Sequence, residues 1–251
     1  MSRQNGEAVM NRVSTIGVIG GMGPEATNRL CALITELTPV KKDQDHIPVI
    51  TFNNSLIPER VKAVRGESQS PVPEMIRTAR VLEQAGADVL LMPCNLAHYF
   101  LDDVQREISV PILNMIEETV RFIVAAHPFV HSVGLLASTP TIQNSLYEKS
   151  FARHARVVLT PDDSLQQANV MEAIYGKRGI KAGYKKRPRA LLMEAARQLI
   201  MDGAQLIIAG CTEVSLVMED GRAPFPVIDP LKVLARVAIE RAMAGAEIRK
   251  G

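Results

Sequence analysis

What this chain lacks narrows its class before any motif is read. An excess of charge of one sign is missing: 29 Lys and Arg against 27 Asp and Glu leave a net +2. That balance gives no reason to expect nucleic acid or an acidic membrane surface as a partner. The one basic cluster, Lys185-Lys186-Arg187-Pro188-Arg189, reads as the solvated approach to a helix. Long apolar runs are missing too, since none reaches the roughly 18 residues of a membrane span. Cysteine is scarce, and three is an odd number that does not suggest a disulfide framework. A reducing, cytoplasmic home with its thiols available is expected. The first 13 residues are polar without the apolar segment of a signal peptide, so a loose arm is expected there. Tryptophan is absent, yet 47% hydrophobic and 22% charged residues are ordinary for a globular protein. The length allows one large core or two of about 110 residues each.

What is present is a matched pair of cysteines. The first closes Gly86-Ala87-Asp88-Val89-Leu90-Leu91-Met92-Pro93-Cys94-Asn95, and the second closes Gly203-Ala204-Gln205-Leu206-Ile207-Ile208-Ala209-Gly210-Cys211-Thr212. Positions 94 and 211 are 117 residues apart, as are Gly17 of Ile16-Gly17-Val18-Ile19 and Gly134 of Val133-Gly134-Leu135-Leu136. Val110-Pro111-Ile112-Leu113-Asn114 is echoed by Phe225-Pro226-Val227-Ile228-Asp229 at an offset of 115. Three landmarks in register indicate an internal duplication. Two similar halves that face each other bring both sulfurs to one small molecule from opposite sides.

Short apolar runs alternate with amphipathic stretches. Strands are expected at Thr15–Ile19, Val49–Phe52, Val89–Met92, Ile112–Leu113, Ser132–Leu136, Arg156–Leu159, Leu206–Ala209 and Val227–Ile228. Helices are expected at Pro24–Leu37, Val72–Ala85, Leu96–Glu107, Ile116–Ala126, Thr141–Phe151, Leu165–Tyr175, Pro188–Met201 and Pro230–Ala244, with Gly86, Gly203 and Gly245 as stops. Unbroken hydrophobic strands alternating with helices predict an α/β fold of two pseudo-symmetric doubly wound units with mostly parallel sheets. The expected first domain is 14–112 plus 228–251, and the second is 113–227. Ligands of such sheets bind beyond the carboxyl ends of the strands, where Cys94 and Cys211 both fall. Cys31, mid-helix on an apolar face, reads as a buried filler.

A thiol reacts as its thiolate, a form favoured near a helix N-terminus or a cation. Both cysteines are placed on strand-to-helix turns, with Asn95 or Thr212 next in line as a cap. A strand-end cysteine is on its own as readily a small buried hydrophobe. Two in duplicated settings suit inversion at a stereocentre, one thiolate removing an α-proton while the opposing thiol supplies another. The developing charge then needs fixed cations and backbone N–H groups. The turn Gly20-Gly21-Met22-Gly23-Pro24-Glu25-Ala26-Thr27 superficially matches a dinucleotide fingerprint as Gly21-x-Gly23-x-x-Ala26. Pro24 removes a backbone donor, and Phe52-Asn53-Asn54 lacks the acidic residue a ribose needs. A small carboxylate is the preferred ligand of those glycines.

With these motifs the chain resembles the aspartate/glutamate racemase superfamily, in particular its cofactor-independent aspartate racemase branch. The resemblance rests on the glycine turn, on Pro93-Cys94-Asn95-x-Ala97-His98 and on Gly210-Cys211-Thr212-Glu213. It is supported by Pro58-Glu59-Arg60 and Gly179-Ile180-Lys181-Ala182-Gly183. It implies Cys94 and Cys211 as the two acid/bases, and Met22, Asn95, Leu96, Thr141 and Thr212 beside the substrate. Arg60 and Lys181 would be the cations that hold a dicarboxylic amino acid. It further implies a site between two domains, a C-terminal helix returning to the first domain, a homodimer, and neither pyridoxal phosphate nor metal. Read without the resemblance, Arg60 is equally a surface charge, and Lys181 sits in a polar loop flanked by glycines. His98 is read as organising the Cys94 turn rather than binding zinc, and Glu213 is read as either capping its helix or tuning Cys211, with the sequence not deciding between them.

Two residues depart from the family pattern. Leu96 stands where the family has a hydroxyl residue after Cys-Asn, which makes that wall more apolar and puts an aspartate preference in question. Pro140 replaces a usual glycine in Ala137-Ser138-Thr139-Pro140-Thr141 and stiffens that turn. The leading expectation is a two-cysteine racemase of aspartate, glutamate or a related acidic amino acid. Its rivals are a hydantoin racemase, a maleate cis–trans isomerase or an arylmalonate decarboxylase on the same scaffold, and a non-catalytic dicarboxylate binder.

Overall fold

The structure is a computed structural model that describes residues 13–218 and 223–247. Apart from Val13, the arm expected over the first 13 residues lies outside the described residues. The first half contains β1 (Ile16–Gly20), α1 (Pro24–Leu37), β2 (Val49–Asn53), α2 (Arg60–Val64), α3 (Val72–Gln84), β3 (Val89–Leu91), α4 (Leu101–Gln105), β4 (Ile112–Leu113) and α5 (Met115–Ala126). The second contains β5 (Ser132–Leu135), α6 (Thr139–Gln143), α7 (Leu146–Ala152), β6 (Val157–Leu159), α8 (Asp163–Leu165), α9 (Glu172–Tyr175), α10 (Lys186–Met201), β7 (Leu206–Ile208), α11 (Thr212–Ser215), β8 (Val227–Ile228) and α12 (Pro230–Glu247). Their strands form two four-stranded parallel sheets of the same order, β2-β1-β3-β4 and β6-β5-β7-β8.

The duplication extends to the packing. A Cβ added at Gly17 would lie 2.5 Å from Leu90 Cδ2 and 2.8 Å from Ala87 Cβ; one at Gly134 would lie 2.6 Å from Ile207 Cδ1 and 3.2 Å from Ala204 Cβ. Each pair of neighbours is again 117 residues apart. Glycine at both positions lets α3 and α10 close onto β1 and β5. The helices stop at Gly86 and Gly203, both with positive φ.

The last helix of each half crosses to the other sheet. After β4, α5 buries Ile116, Val120 and Ile123 against Val133, Leu135, Leu206 and Ile208. After β8, α12 buries Leu231, Leu234, Ala238 and Ile239 against Ile16, Val18, Leu30 and Leu33. Asn114 and Asp229 start these helices, Asn114 Oδ1 accepting from Ile116 N at 3.1 Å and Asp229 Oδ1 from Leu231 N at 2.9 Å. The expected boundaries at 112–113 and 227–228 fall inside β4 and β8, the strands from which the chain crosses over.

Several expected elements differ in detail. The helix expected over Leu96–Glu107 is a tight 3₁₀ segment, Leu96–Phe100, followed by α4. The ring of His98 ties that segment back to the Cys94 carbonyl. The stretch Thr141–Phe151 is two helices, because Ser145 is left-handed (φ 53°) and Asn144 Nδ2 caps Pro140 O at 2.8 Å. The stretch Leu165–Tyr175 contains a π-helical turn at Gln166–Met171. Helix α12 runs through Gly245, which is not a stop. Cys31 is half-buried with Sγ 3.3 Å from Thr51 Oγ1, so it is not a fully buried filler. No helix among the described residues is long and apolar enough to cross a membrane.

Candidate functional site

Both cysteines lie just past the carboxyl ends of the central strands β3 and β7, and both line one cavity of about 160 Å³. That is below the roughly 300 Å³ at which pockets for drug-sized ligands begin, so it suits a ligand of few heavy atoms. Met22, Arg60, Asn95 and Leu96 reach it from the first half; Thr141, Lys181 and Thr212 reach it from the second. The sequence-expected site residues are therefore all brought together. Glu59, Val61, Ser138, Tyr175 and Gly210 line it as well and were not singled out, and so does Glu213, for which the sequence leaves two roles open.

The glycine turn brings Met22 to the cavity. Gly21 has φ +95°, and a Cβ there would lie 2.1 Å from Asn54 O, so only glycine fits the approach to the end of β2. Thr27 braces the turn, accepting from Gly21 N at 3.1 Å and donating to Gly23 O at 2.9 Å. Asn54 is buried and held by Thr78 Oγ1 at 2.9 Å.

The Cys94 wall is set by His98 and Tyr147. Met115 N–H donates to His98 Nε2 at 3.0 Å, so that nitrogen carries no proton and Nδ1–H donates to Cys94 O at 2.9 Å. Burial holds His98 below the usual imidazole range and keeps the ring neutral. The expectation that His98 organises the turn is met. Asn95 does not cap the following helix as expected. Its Oδ1 instead accepts from Tyr147 OH at 2.6 Å, a phenol pushed up by burial and hence a standing donor. Asn95 Nδ2 is left buried without a partner among the described residues. Arg60 opens α2 with one guanidinium nitrogen on Pro58 O at 2.8 Å and Ile57 O at 3.2 Å, while its buried Nε is likewise unpartnered. Both residues line the cavity, and each leaves one buried donor unpaired among the described residues.

On the facing wall Cys211, not Thr212, is the residue before α11, and it makes no side-chain cap bond. Its Sγ–H donates to Glu213 Oε2 at 3.0 Å. Glu213 Oε1 is ion-paired with Lys181 Nζ, which also stands 5.5 Å over the Tyr175 ring. Burial works against a charged Glu213, but Lys181 and the Cys211 thiol hold its carboxyl below the usual range. Burial, then the Glu213 carboxylate, pushes the Cys211 thiol well above its ordinary value. Burial opposes a charged Lys181, yet Glu213 raises it on balance. Thr141 shares a 2.9 Å hydrogen bond with Ser138, and Gln166 Nε2 on the π-helical turn braces that wall through Ala137 O at 2.9 Å.

The chain is similar to several proteins named as amino-acid racemases. The broad specificity amino-acid racemase RacX of Bacillus subtilis (strain 168) is 27% identical over 234 residues, covering 91% of this chain and 98% of the relative. The Picrophilus torridus aspartate racemase superposes with a TM-score of 0.79 at 26% identity, covering 91% of this chain and 94% of that one. A putative Asp/Glu racemase from Yersinia pestis gives 0.74 at 26% identity, covering 92% and 99%. A glutamate racemase from Francisella tularensis shares the fold alone, at 16% identity and a TM-score of 0.61 over 95% of this chain and 83% of that one. The family model described as Asp/Glu/Hydantoin racemase matches residues 19–238, and the chain belongs to that family.

Proposed function

We propose that this chain is a cofactor-independent amino-acid racemase that inverts the α-carbon of aspartate or a related acidic amino acid by proton transfer between Cys94 and Cys211. One observation carries the reading: cysteines from the two duplicated halves line a single small cavity. The thiolate of one takes the α-hydrogen as a proton, leaving a carbanion stabilised through the substrate carboxylate. The thiol of the other delivers a proton to the opposite face, and exchange with solvent resets the pair. Arg60 and Lys181 serve as the cations for the two carboxylates, and Asn95 Nδ2 as a neutral donor to one of them. Met22, Leu96, Thr141 and Thr212 bound the substrate. The kinship with racemases named for aspartate and for broad specificity supports the reaction class. Met22, Val61, Leu96 and Tyr175 form an apolar part of the lining, so neutral amino acids belong in the substrate panel.

Chiral chromatography of L-aspartate, L-glutamate and a neutral panel, incubated with the full-length chain, tests the reading. Racemisation of an acidic member is expected, with Cys94→Ser and Cys211→Ser each lowering kcat by about 10²–10⁴-fold, the usual contribution of a general acid or base. Activity surviving both replacements overturns it.

A further inference from the structure

The two halves are related by an offset of 117 residues, and that offset places Glu213 opposite Leu96. The scaffold is thus symmetric around the two sulfurs while the chemistry beside them is not. Two residues past Cys211 stands a carboxylate that accepts its S–H at 3.0 Å; two residues past Cys94 stands an aliphatic side chain. Burial does not distinguish the sulfurs, since Cys94 is 8% exposed and Cys211 9%. We propose that Glu213 is a positioning residue that holds Cys211 as the thiol, so that in the resting site Cys211 is the proton donor and Cys94 the acceptor. This rests on the racemase reading above.

The geometry assigns each oxygen of Glu213 a task. Oε1 faces Lys181, which keeps the carboxylate ionised, and Oε2 faces the Cys211 proton. A Cys211 thiolate would lie against that carboxylate, like charge on like charge, without the hydrogen bond. Glu213 is itself buried and fixed by Lys181 from the segment after α9, so it cannot turn away to water. The remaining ionisable groups near Cys211 do not replace it. Tyr175 and Tyr147 are phenols, both raised by burial. Cys94, Arg60 and Glu59 line the cavity from the opposite half, and Asp229 follows the adjacent β8 and accepts from Leu231 N at the start of α12. Lys181 is the cation that favours a Cys211 thiolate, and Glu213 occupies it. Glu213→Gln removes the negative charge and frees Lys181 toward the sulfur, so both changes promote the thiolate.

The test is iodoacetamide alkylation of the full-length, ligand-free chain between pH 6 and 11, with Cys94 and Cys211 resolved by peptide mass spectrometry. In the unmutated chain the half-point of the Cys211 rate profile is expected at least one pH unit above the ordinary thiol value of about 8.5. Glu213→Gln should bring it down by at least one unit and accelerate Cys211 at neutral pH at least ten-fold, leaving Cys94 within about two-fold. A half-point reads ionisation rather than access, so poor reagent entry cannot mimic it. The alkaline limb of the racemisation profile, where the donor thiol is lost, should move to lower pH in the same variant; a purely structural role would lower the whole profile without moving that limb. A Cys211 half-point at or below the ordinary value in the unmutated chain overturns the proposal even if the variant does not fold. So does an unchanged half-point in folded Glu213→Gln. Alkylation reads the sulfur without turnover, so racemisation surviving both cysteine replacements would remove the racemase reading and leave this measurement standing on its own.

Discussion

His98 shows how one residue can serve a site that it does not enter. Its two ring nitrogens join Cys94 O to Met115 N, coupling the cysteine turn to the start of the helix that crosses to the other half. The ring must be neutral to accept from Met115, and burial keeps it so. The sign of the pH dependence follows. The folded chain resists a proton that the unfolded chain takes up below its ordinary value of 6.5, so stability is full above that pH and declines as pH falls below it. Each pH unit costs up to about 1.4 kcal/mol for one proton. Urea unfolding at pH 7.5 and 5.5 should therefore show a larger acid loss in the unmutated chain than in His98→Gln; equal losses would contradict the neutral ring. At this scale duplication marks the two cysteines and the polar residues that follow them, whereas Arg60 and Lys181 were reached only through the family resemblance. Ser138 and Tyr175, which line the cavity, and Tyr147, which holds Asn95 from within the core, were not legible, since only the folded chain reveals what their elements face. The part played by Glu213 depends on which way a flexible carboxylate turns, and spacing does not encode that.

At the scale of elements, the central strands and the long helices follow from the alternation of apolar runs with amphipathic stretches, and Gly86 and Gly203 mark two helix ends. The short elements were harder. Arg60–Val64 is a five-residue helix that places the guanidinium at the cavity, too short to show a periodicity. The left-handed break at Ser145 and the π-helical turn at Gln166–Met171 are departures that no local pattern announces. The glycine turn is the element with the least tolerance. Gly21→Ala would add a Cβ 2.1 Å from Asn54 O at a positive φ. The expected cost is more than about 1 kcal/mol from the backbone conformation alone. Displacement of Met22 from the cavity should also raise KM. Denaturant unfolding and steady-state kinetics of that variant check both effects, and unchanged stability would show that the turn can relax.

At the scale of the whole molecule, the exchange of α5 and α12 makes each half depend on the other. The helix that follows one sheet fills the core of the opposite one, with Leu234 and Ala238 fully buried over β1 and α1. The strand ends of the two halves then share one cleft, and one cysteine is held on each side. Duplication was readable from the recurring offset; the return of the last helix was expected from resemblance, and the expected boundary at 112–113 already assigned the residues of α5 to the second domain. The proposed function depends on two sulfurs addressing opposite faces of one carbon. Its most direct test is the isotopic content of the first product formed from L-aspartate in D₂O, read by proton NMR and chiral separation at low conversion. Two thiols on opposite faces give D-aspartate deuterated at Cα while the remaining L-aspartate keeps its protium; D-aspartate that retains the original hydrogen, or equal deuteration of both enantiomers from the start, would contradict the two-sulfur site.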